Sequence, residues 1–259
     1  MVQVLIKAER QIKQEEYTSY FSVIIPTLNE ESKIERLLKS LKRQTFKDFE
    51  VIIVDGGSRD QTVEIAEKFS AKVYVKKGLK EFPSRNYGAK VSKGKILLFL
   101  SADVLLPSDA LEYLKIFFDK GYDGICAMGM PFEAPLWMKL GYLAHWKILR
   151  LWMALSKDYH GSTNFMAVRK KDFFRIGGFE DKFCADTLFF NALGRKRKVK
   201  ILNRICVFVS GRRAEKMGFF RFYTHFLWVI VYDYFPFLRN TAITRFLQNY
   251  SSGYRAKHG

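Results

Sequence analysis

Short apolar runs alternate with longer stretches of mixed polarity through the first two hundred positions of the chain. The runs Phe21–Pro26, Phe49–Val54 and Ile96–Leu100 are mostly apolar and rich in branched residues, which is typical of strands buried on both faces of a sheet. A shorter run at Lys72–Val75 predicts one more strand. Because helix-like stretches separate these runs, the pattern predicts βαβ units and a mainly parallel sheet.

Two of the helical stretches begin at residues that favour helix N-termini. Asn29 predicts a helix through Leu41, and Asp60 predicts the start of a helix through Phe69. The other expected helices are Pro83–Val91, Pro107–Phe118, Pro135–Leu155 and Asp186–Leu193, and the other expected strands are Tyr122–Met128, Thr163–Val168, Val199–Leu202 and Cys206–Val209. Beyond Ser210 the chain becomes basic and aromatic, and we expect helix to near Tyr250.

Composition limits the classes of protein and partner. The 259 residues are 48% hydrophobic, enough for a substantial core, and the formal net charge of +18 points to an anionic partner: a nucleic acid, a phosphorylated ligand or an acidic membrane surface. From Arg195 to the end there are fourteen Lys and Arg residues against Glu215 and Asp233. The positive charge is therefore concentrated in the last quarter of the chain.

Several features are expected to be absent. Cys126, Cys184 and Cys206 show no metal-binding spacing, so we expect buried, reduced thiols of a cytosolic protein. Met1–Tyr20 carries charges throughout, which predicts an N-terminal extension and no signal peptide. No run reaches the roughly 18–20 apolar residues of a membrane span.

Three aspartates stand where the elements predict a ligand site. Asp55 ends a strand before two glycines and is suited to accept from a base or ribose, unless it only shapes the turn. Asp103 follows the most apolar strand and is suited to hold Mg²⁺ or Mn²⁺ on a diphosphate, unless it caps a helix. Asp186 opens a helix and is suited to be a general base, or else to be an N-cap.

A basic loop at Ser210–Arg213 is a further candidate. Arg212 and Arg213 follow the last predicted strand, and paired guanidinium groups on a glycine-containing loop can clamp a diphosphate or a lipid phosphate. A solvated basic turn explains the same residues equally well.

Five motifs occur in the order seen in family 2 glycosyltransferases. They are V-I-I-P-T-L-N-E at Val23–Glu30, V-D-G-G-S-R-D-Q-T at Val54–Thr62, P-S-R-N-Y-G-A at Pro83–Ala89, L-F-L-S-A-D-V-L-L-P at Leu98–Pro107 and G-G-F-E…A-D at Gly177–Asp186. From about Phe21 to Ser210 the chain therefore resembles an inverting enzyme of that family. The resemblance implies the GT-A fold, a nucleotide-diphosphate sugar donor and a divalent metal, Mn²⁺ or Mg²⁺.

The resemblance also implies roles for single residues. On the donor side it places Pro26 and Glu30 at the edge of the nucleotide pocket, Asp55 on the base, Arg85 along the donor site and Asp103 as the last acid of the DxD metal motif. Asp186 matches the catalytic base. His160 lies where the family often keeps donor- or acceptor-site residues and is a candidate on the acceptor side, although a lone histidine more often has a structural role. Glu180 is a further acceptor-side candidate.

Two positions depart from the family pattern. Ser101 stands where the first acid of the DxD motif is expected, and Ala185 stands where the glutamate before the base is expected. These departures leave open a degenerate, non-catalytic module that binds nucleotide-sugars or a membrane surface. A nucleotidyltransferase is a third reading, but no Gly-rich basic loop follows the first strand.

Two aromatic-rich stretches raise the question of a membrane. Gly218–Leu238 is interrupted by Arg221 and Asp233, and its rings and arginines suit the interface of a bilayer. In Pro135–Leu155, three basic residues share a sector about 80° wide on a helical wheel, and apolar residues occupy much of the rest. Packing of both helices on the sheet is the competing explanation. No nucleic-acid motif accompanies the charge, so we expect no nucleic-acid partner.

The sequence thus predicts a GT-A α/β domain at residues 21–213, with an extension at residues 1–20 and a basic, aromatic helical extension at residues 214–259. We expect transfer of a sugar, with inversion, to a hydroxyl or phosphate acceptor, which is a glycan or lipid-linked. The expected location is the cytoplasm, with peripheral contact at the cytoplasmic face of a membrane.

Overall fold

The computed structural model describes residues 17–127, 129–132, 134–156, 158–182, 184–202, 204 and 207–209. The strands are β1 (Ser19–Thr27), β2 (Phe49–Asp55), β3 (Lys72–Val75), β4 (Gly94–Leu100), β5 (Val104–Leu105), β6 (Gly124–Cys126), β7 (Met130–Pro131), β8 (Phe165–Arg169), β9 (Val199–Ile201) and β10 (Phe208–Val209). The helices are α1 (Glu31–Lys42), α2 (Thr62–Lys68), α3 (Glu81–Val91), α4 (Ala110–Asp119), α5 (Leu136–Ser156), α6 (Lys170–Ile176) and α7 (Ala185–Gly194).

The main sheet has seven strands in the order β3-β2-β1-β4-β8-β6-β9. The first four are parallel, β8 runs antiparallel to both of its neighbours, and β9 is parallel to β6. Val23 on β1 lies beside Val51 on one side and Leu98 on the other. The expected α/β class with a mainly parallel sheet is therefore confirmed.

The alternation of side chains along β4 explains why helices cover both faces. Ile96, Leu98 and Leu100 point into a core cluster with α1 and α4, while Leu97 and Phe99 point into a second cluster with α3, α6 and α7. All five side chains are fully buried. A strand that must be apolar at every position belongs to the middle of a three-layer fold.

A second sheet of three short strands, ordered β5-β10-β7, adjoins the carboxyl end of β4. Val104 pairs with Val209, and Val209 pairs in turn with Pro131. Helix α5 follows β7 and packs through a small separate cluster around Met138. The segment after Asp103 is thus a strand, which excludes the reading of Asp103 as a helix cap.

Two predicted helix starts are wrong for physical reasons, and one helix is missing from the prediction. Asn29 does not cap α1: it has φ 53°, and its side-chain oxygen accepts from the Arg59 amide at 2.9 Å. Pro107 does not open α4, because its carbonyl accepts from the Ala110 amide in a turn that precedes the helix. The short helix α6 was not predicted, because seven residues give too little periodicity to read.

Neither of the two described cysteines, Cys126 and Cys184, forms a disulfide, in agreement with the expectation of reduced thiols. Cys126 is buried, and burial raises the pKa of its thiol to about 12, so it is an inert part of the core. Cys184 is half-buried at the start of α7. Cys206, the loop with Arg212 and Arg213, and the extension at 214–259 lie outside the described residues. In the part of the chain that the structure describes, no helix is long and apolar enough to cross a bilayer.

Candidate active site

The carboxyl ends of the parallel strands β1, β2 and β4 lie at one edge of the sheet, where open α/β folds bind ligands. Thr27 ends β1 beside Asp55 at the end of β2. Ser101 and Asp103 follow the end of β4, and both are half-buried. The structure therefore brings together the strand-end residues that the sequence singles out.

Asp55 is fully buried and holds the loop after β2 in shape. One carboxylate oxygen accepts from the amides of Gly57 and Ser58 at 2.8 and 2.7 Å, and the other accepts from the hydroxyls of Thr27 and Ser58 at 2.8 and 2.5 Å. Four hydrogen bonds use the acceptor capacity of a carboxylate. With these four bonds in place, a nucleotide base can contact the backbone of the loop. A direct hydrogen bond from the nucleotide base to Asp55 would have to replace one of the four.

The loop between β2 and α2 is tied to the start of α1. The hydroxyl of Thr62 accepts from the Glu30 amide at 2.8 Å, and Asp60 accepts from the amides of Glu31 and Thr62, both at 3.1 Å. Burial by itself would raise the pKa of Asp60. The hydrogen bonds that its carboxylate accepts from Thr62 and Glu31 outweigh burial and hold the pKa below its ordinary value. Asp60 thus accepts from the first amide of α2, as its predicted place at that helix start requires, and also from the first amide of α1.

Pro26 and Glu30 border this loop. Pro26 lies in β1 opposite Val54 and is half-buried. Glu30 occupies the position before α1, and its carboxylate forms an ion pair with Lys33. Their predicted place at the edge of a nucleotide pocket is compatible with this position but is not tested by it.

Arg85 is a fully buried guanidinium at the end of β4. It lies on α3 and donates to the Leu100 carbonyl at 2.8 Å, to Glu81 at 3.1 Å and to the Ser101 hydroxyl at 3.3 Å. Its Nε has no hydrogen-bond partner among the described residues. A permanent positive charge is therefore fixed directly beside Ser101, the position where the family pattern predicts the first acid of the metal motif.

The hydroxyl of Ser101 links this cation to the opposite side of the site. It donates to the side-chain oxygen of Asn164 at 2.9 Å. Asn164 directly precedes β8, so one side-chain bond ties the end of β4 to the start of the antiparallel strand. Asp103 lies two residues beyond Ser101.

Asp186 is held by the residue next to Asn164. One of its oxygens accepts from the Thr163 amide at 3.2 Å and lies 3.4 Å from the Thr163 hydroxyl, and the other accepts from the Thr187 amide at 3.0 Å. The consecutive residues Thr163 and Asn164 thus connect Asp186 with Ser101. These contacts bring Ser101 and Asp186, two of the residues that the sequence singles out, close to each other.

The pKa of Asp186 is raised to about 6, chiefly by burial and also by the negative charge of Glu81, while the amide bonds from Thr163 and Thr187 and the charge of Arg85 oppose the rise. A carboxylate with this pKa is deprotonated at neutral pH and is a stronger base than an exposed aspartate. The side chain is enclosed on most sides but is not sealed from solvent. These are the properties of a general base.

His160 and Gly161 precede this segment. His160 is buried. A Cβ at Gly161 would lie 2.5 Å from both Met166 Cε and Phe190 Cβ, so only glycine permits the close approach of this loop to α7. His160 therefore lies three residues before Thr163, which holds Asp186. Its acceptor-side function stays a prediction.

Glu180 is exposed and forms an ion pair with Lys182. The turn that carries it is attached to α3 by Asn86, which accepts from the Phe179 amide at 2.9 Å and donates to the Phe179 carbonyl at 2.7 Å. The acceptor-side prediction for Glu180 is untested, but its turn is anchored one residue from Arg85.

Sequence reasoning missed four residues that build the site: Glu81, Asn86, Thr163 and Asn164. Asn86 belongs to the quoted P-S-R-N-Y-G-A motif, which is the signal that marks it. Glu81 lies one helical turn before Arg85 and pairs with it, whereas Thr163 and Asn164 become visible only through partners that lie far away in sequence.

The described residues contain no group of three His, Cys, Asp or Glu side chains that would hold a metal ion unaided. Asp103 supplies one hard oxygen ligand. Mg²⁺-type ions are commonly held by one or two carboxylates together with the phosphates of a substrate. The donor set therefore fits a cation that a diphosphate helps to bind, and does not form a site complete in itself.

The chain is similar to known glycosyltransferases. The family described as glycosyl transferase family 2 matches residues 22–177. The chain is 36% identical over 118 residues to poly(ribitol-phosphate) beta-N-acetylglucosaminyltransferase TarS of Staphylococcus aureus, an alignment that covers 42% of this chain and 21% of the relative. The chain thus spans about a fifth of the length of that relative.

Two solved structures show the same fold. The crystal structure of S. aureus TarS 1–349 in complex with UDP-GlcNAc superposes with a TM-score of 0.59 and 23% identity, covering 76% of this chain and 60% of that one. The mannosyltransferase PcManGT from Pyrobaculum calidifontis, in complex with GDP-Man and Mn²⁺, gives a TM-score of 0.60 and 19% identity, with coverage of 81% and 64%. The predicted GT-A architecture is confirmed.

Proposed function

Because the chain belongs to glycosyl transferase family 2, we propose that it transfers a sugar from a nucleoside-diphosphate donor to an acceptor hydroxyl or phosphate, with inversion, and that Asp186 is the general base. The single observation that carries the proposal is the enclosed carboxylate of Asp186, which Thr163 and Asn164 connect to Ser101 at the end of β4. The general base and the residues that bind the leaving diphosphate would thus lie within one site.

Asp186 would begin the transfer. A hydroxyl acceptor gives its proton to the carboxylate while its oxygen forms a bond to the anomeric carbon of the sugar. The bond from that carbon to the diphosphate breaks on the opposite face, and its electron pair leaves with the nucleoside diphosphate. A single displacement of this kind inverts the anomeric configuration. The pKa of about 6 keeps Asp186 ready to accept the proton at neutral pH.

The donor would occupy the strand-end edge beside Arg85 and Asp103. Asp103 is the residue that would hold a divalent cation on the diphosphate, and such a cation would neutralise charge on the leaving group. The buried guanidinium of Arg85 supplies a second, permanent positive charge at the end of β4. The nucleotide-sugar complexes of TarS and PcManGT, which share the fold, support a donor of this class.

Ser101 and Ala185 support a second candidate, a nucleotide-sugar or membrane-binding module without catalysis. Ala185 is buried in the apolar cluster beneath α7, so a glutamate at this position would be forced among Phe189, Phe190 and Leu193. The local packing has therefore adapted to the smaller side chain. The acidic groups that the proposed reaction requires, Asp103 and Asp186, are both present.

Thermal unfolding of the purified full chain against UDP-, GDP-, CMP- and dTDP-sugars, with and without Mn²⁺, tests the donor site. A ligand that binds the native state raises the melting temperature. We expect a metal-dependent increase with one donor and its loss in Asp103→Ala. The matched control is Asp109→Ala, since Asp109 is paired with the exposed Arg204 beyond β5.

Transfer to an acceptor separates the two candidates. A preparation that binds a donor but neither transfers nor hydrolyses it would support the non-catalytic module. Absence of any donor-induced shift in a folded preparation, also tested with lipid present, would contradict both donor assignments. Release of diphosphate from a nucleoside triphosphate would instead identify a nucleotidyltransferase.

A further inference from the structure

Helix α5 exposes an unusual amount of apolar surface. Six of the eleven large hydrophobic side chains that are exposed in the described part of the chain lie on this helix: Leu136, Leu140, Leu143, Ile148, Leu151 and Leu155. The other five are scattered singly over other segments, as is normal for a protein surface. The exposed fractions reach 71% for Leu136 and 75% for Leu155, the two ends of the helix.

These side chains form one continuous surface, which we call the leucine stripe. At about 100° per residue, all six fall within a sector roughly 140° wide that runs along the whole helix. The opposite side carries the buried residues Met138, His145 and Leu149. A 21-residue helix that buries only these three residues leaves its longest apolar face without cover from the described residues.

The charges on α5 indicate the partner. The helix contains Lys139, Lys147 and Arg150 and no acidic residue. Lys147 and Arg150 are exposed within or beside the leucine stripe. Long basic side chains can lay their stems on apolar surface and keep the charge at its edge. Leucines combined with basic residues on one face are suited to the boundary between acyl chains and anionic headgroups.

Two other ways to cover the leucine stripe, a second copy of the chain and the chain's own segment 214–259, fit these charges less well. A second copy of the chain packed on the same stripe would bring Lys147 and Arg150 against their own equivalents, with no carboxylate on the helix to pair with them. The segment 214–259 is also basic, with six Lys and Arg residues against two acidic residues. Both arrangements would gather like charges around an apolar contact.

The connections of α5 relate the leucine stripe to the active site. Before the helix, β7 pairs with β10, and β10 pairs with β5 directly after Asp103. After the helix, the chain leads through His160 to Thr163, which holds Asp186. A surface bound by α5 would therefore adjoin the acceptor side of the proposed site.

We propose that the leucine stripe of α5 is a docking surface for an anionic lipid bilayer. The docking itself does not depend on the proposed reaction. Its consequence, that a membrane-borne acceptor is presented to Asp186, rests on the proposed function. The helix lies along the interface with its axis parallel to the surface, because its buried side remains attached to the protein.

The test is co-sedimentation of the full chain with vesicles of phosphatidylglycerol and phosphatidylcholine, compared with pure phosphatidylcholine. We expect the triple variant Leu140→Gln, Leu151→Gln, Leu155→Gln to lower the partition coefficient on anionic vesicles about 10-fold or more. The matched control is Val75→Gln, Ile116→Gln, Phe174→Gln, which removes three exposed apolar side chains elsewhere and should change binding less than about 2-fold. The double variant Lys147→Gln, Arg150→Gln should weaken anionic binding roughly 5-fold or more.

Hydrogen exchange on the same samples locates the contact. Vesicles should protect peptides from residues 136–156 and leave those from 110–119 unchanged. The proposal is overturned if the wild type does not bind, binds both vesicle types equally, or binds as well after the triple substitution. It is also overturned if the triple variant converts a dimer to a monomer in sedimentation, which would identify a second copy as the partner. Donor-induced thermal shifts, measured on the same variants, report on the proposed function independently.

Discussion

The two halves of the molecule meet the same edge of the sheet but are built differently. The donor-side half, residues 19–103, consists of long parallel strands whose loops satisfy their own polar groups, as the four hydrogen bonds to Asp55 show. The acceptor-side half, residues 104–209, has mostly strands of two or three residues between its helices, and it contains the enclosed carboxylate of Asp186 and the exposed leucine stripe.

This difference shows where the chain places rigidity and where it places reactivity. A self-satisfied loop keeps one shape whether or not a ligand is present. An enclosed carboxylate with a raised pKa costs folding free energy, and such groups concentrate at functional sites. We therefore expect changes in the strand and loop framework of the donor-side half to affect mainly stability, and changes around Asp186 in the acceptor-side half to affect mainly turnover.

The largest expected effect is on turnover in Asp186→Asn. Loss of a general base typically lowers the rate about 100- to 10,000-fold, while the amide keeps the shape of the side chain and donor binding remains. Transfer rate and donor-induced thermal shift, measured on the same preparation, check this. The matched control is Asp181→Asn, since Asp181 pairs with Lys80 at the surface nearby. Retained transfer in Asp186→Asn would remove the base assignment.

A pair of glycine substitutions tests the comparison directly. In Gly94→Ala the new Cβ would lie 2.5 Å from the Ser22 backbone nitrogen on β1, and backbone cannot move aside cheaply. We expect a loss of about 2–3 kcal/mol in the free energy of unfolding. In Gly161→Ala the Cβ would lie 2.5 Å from both Met166 Cε and Phe190 Cβ, and only the Met166 end can move aside easily. We expect a loss of stability of similar size but a larger fall in turnover, because the loop that holds Asp186 must shift.

Urea unfolding and initial rates on both glycine variants decide the outcome. If both variants lose stability and turnover in the same proportion, the proposed difference between the donor-side half and the acceptor-side half is contradicted.

The pH dependence follows from the raised pKa of Asp186, about 6. Below this pH the base is protonated, so the second-order rate constant for transfer should fall about tenfold per pH unit. For stability the sign is opposite. The raised pKa means that the native state binds the proton more tightly than the unfolded state, so this contribution is present below about pH 4 and is lost as pH rises through 6.

Asp186→Asn should therefore be more stable than the wild type at pH 8, by about 1–2 kcal/mol, and the difference should shrink towards pH 4. Chemical unfolding at both pH values measures it. A variant less stable than wild type at pH 8 would show that the carboxylate stabilises the fold and is not held at a cost.

The smallest expected effect comes from Ser101→Asp, which restores the acid of the family pattern beside Asp103. A second carboxylate should strengthen metal-dependent donor binding only a few-fold, roughly 3-fold, because it also breaks the bond from Ser101 to Asn164 and draws Arg85 towards itself. Titration of Mn²⁺ against the donor-induced thermal shift measures this, with Ser108→Asp as the surface control. A loss of donor binding would instead mean that the serine network is required.

The amino-acid sequence by itself determined the donor-side half. Phe21–Pro26, Phe49–Val54 and Ile96–Leu100 had to be central strands, because strands that are apolar on both faces need helices on both sides. The ends of those strands placed Asp55 and Asp103 at one edge of the sheet, and the family motifs marked Arg85 and Asp186 as candidate site residues.

Only the tertiary structure decided how these residues work together. The link from Arg85 through Ser101 to Asn164, and from Thr163 to Asp186, joins residues up to a hundred positions apart, and local patterns carry no information about such contacts. The use of Asp55 as a loop anchor depended in part on Thr27, its partner on the neighbouring strand β1. The exposure of the leucine stripe depended on which face of α5 the protein covers, because an amphipathic pattern shows that a helix has an apolar face but not what covers it.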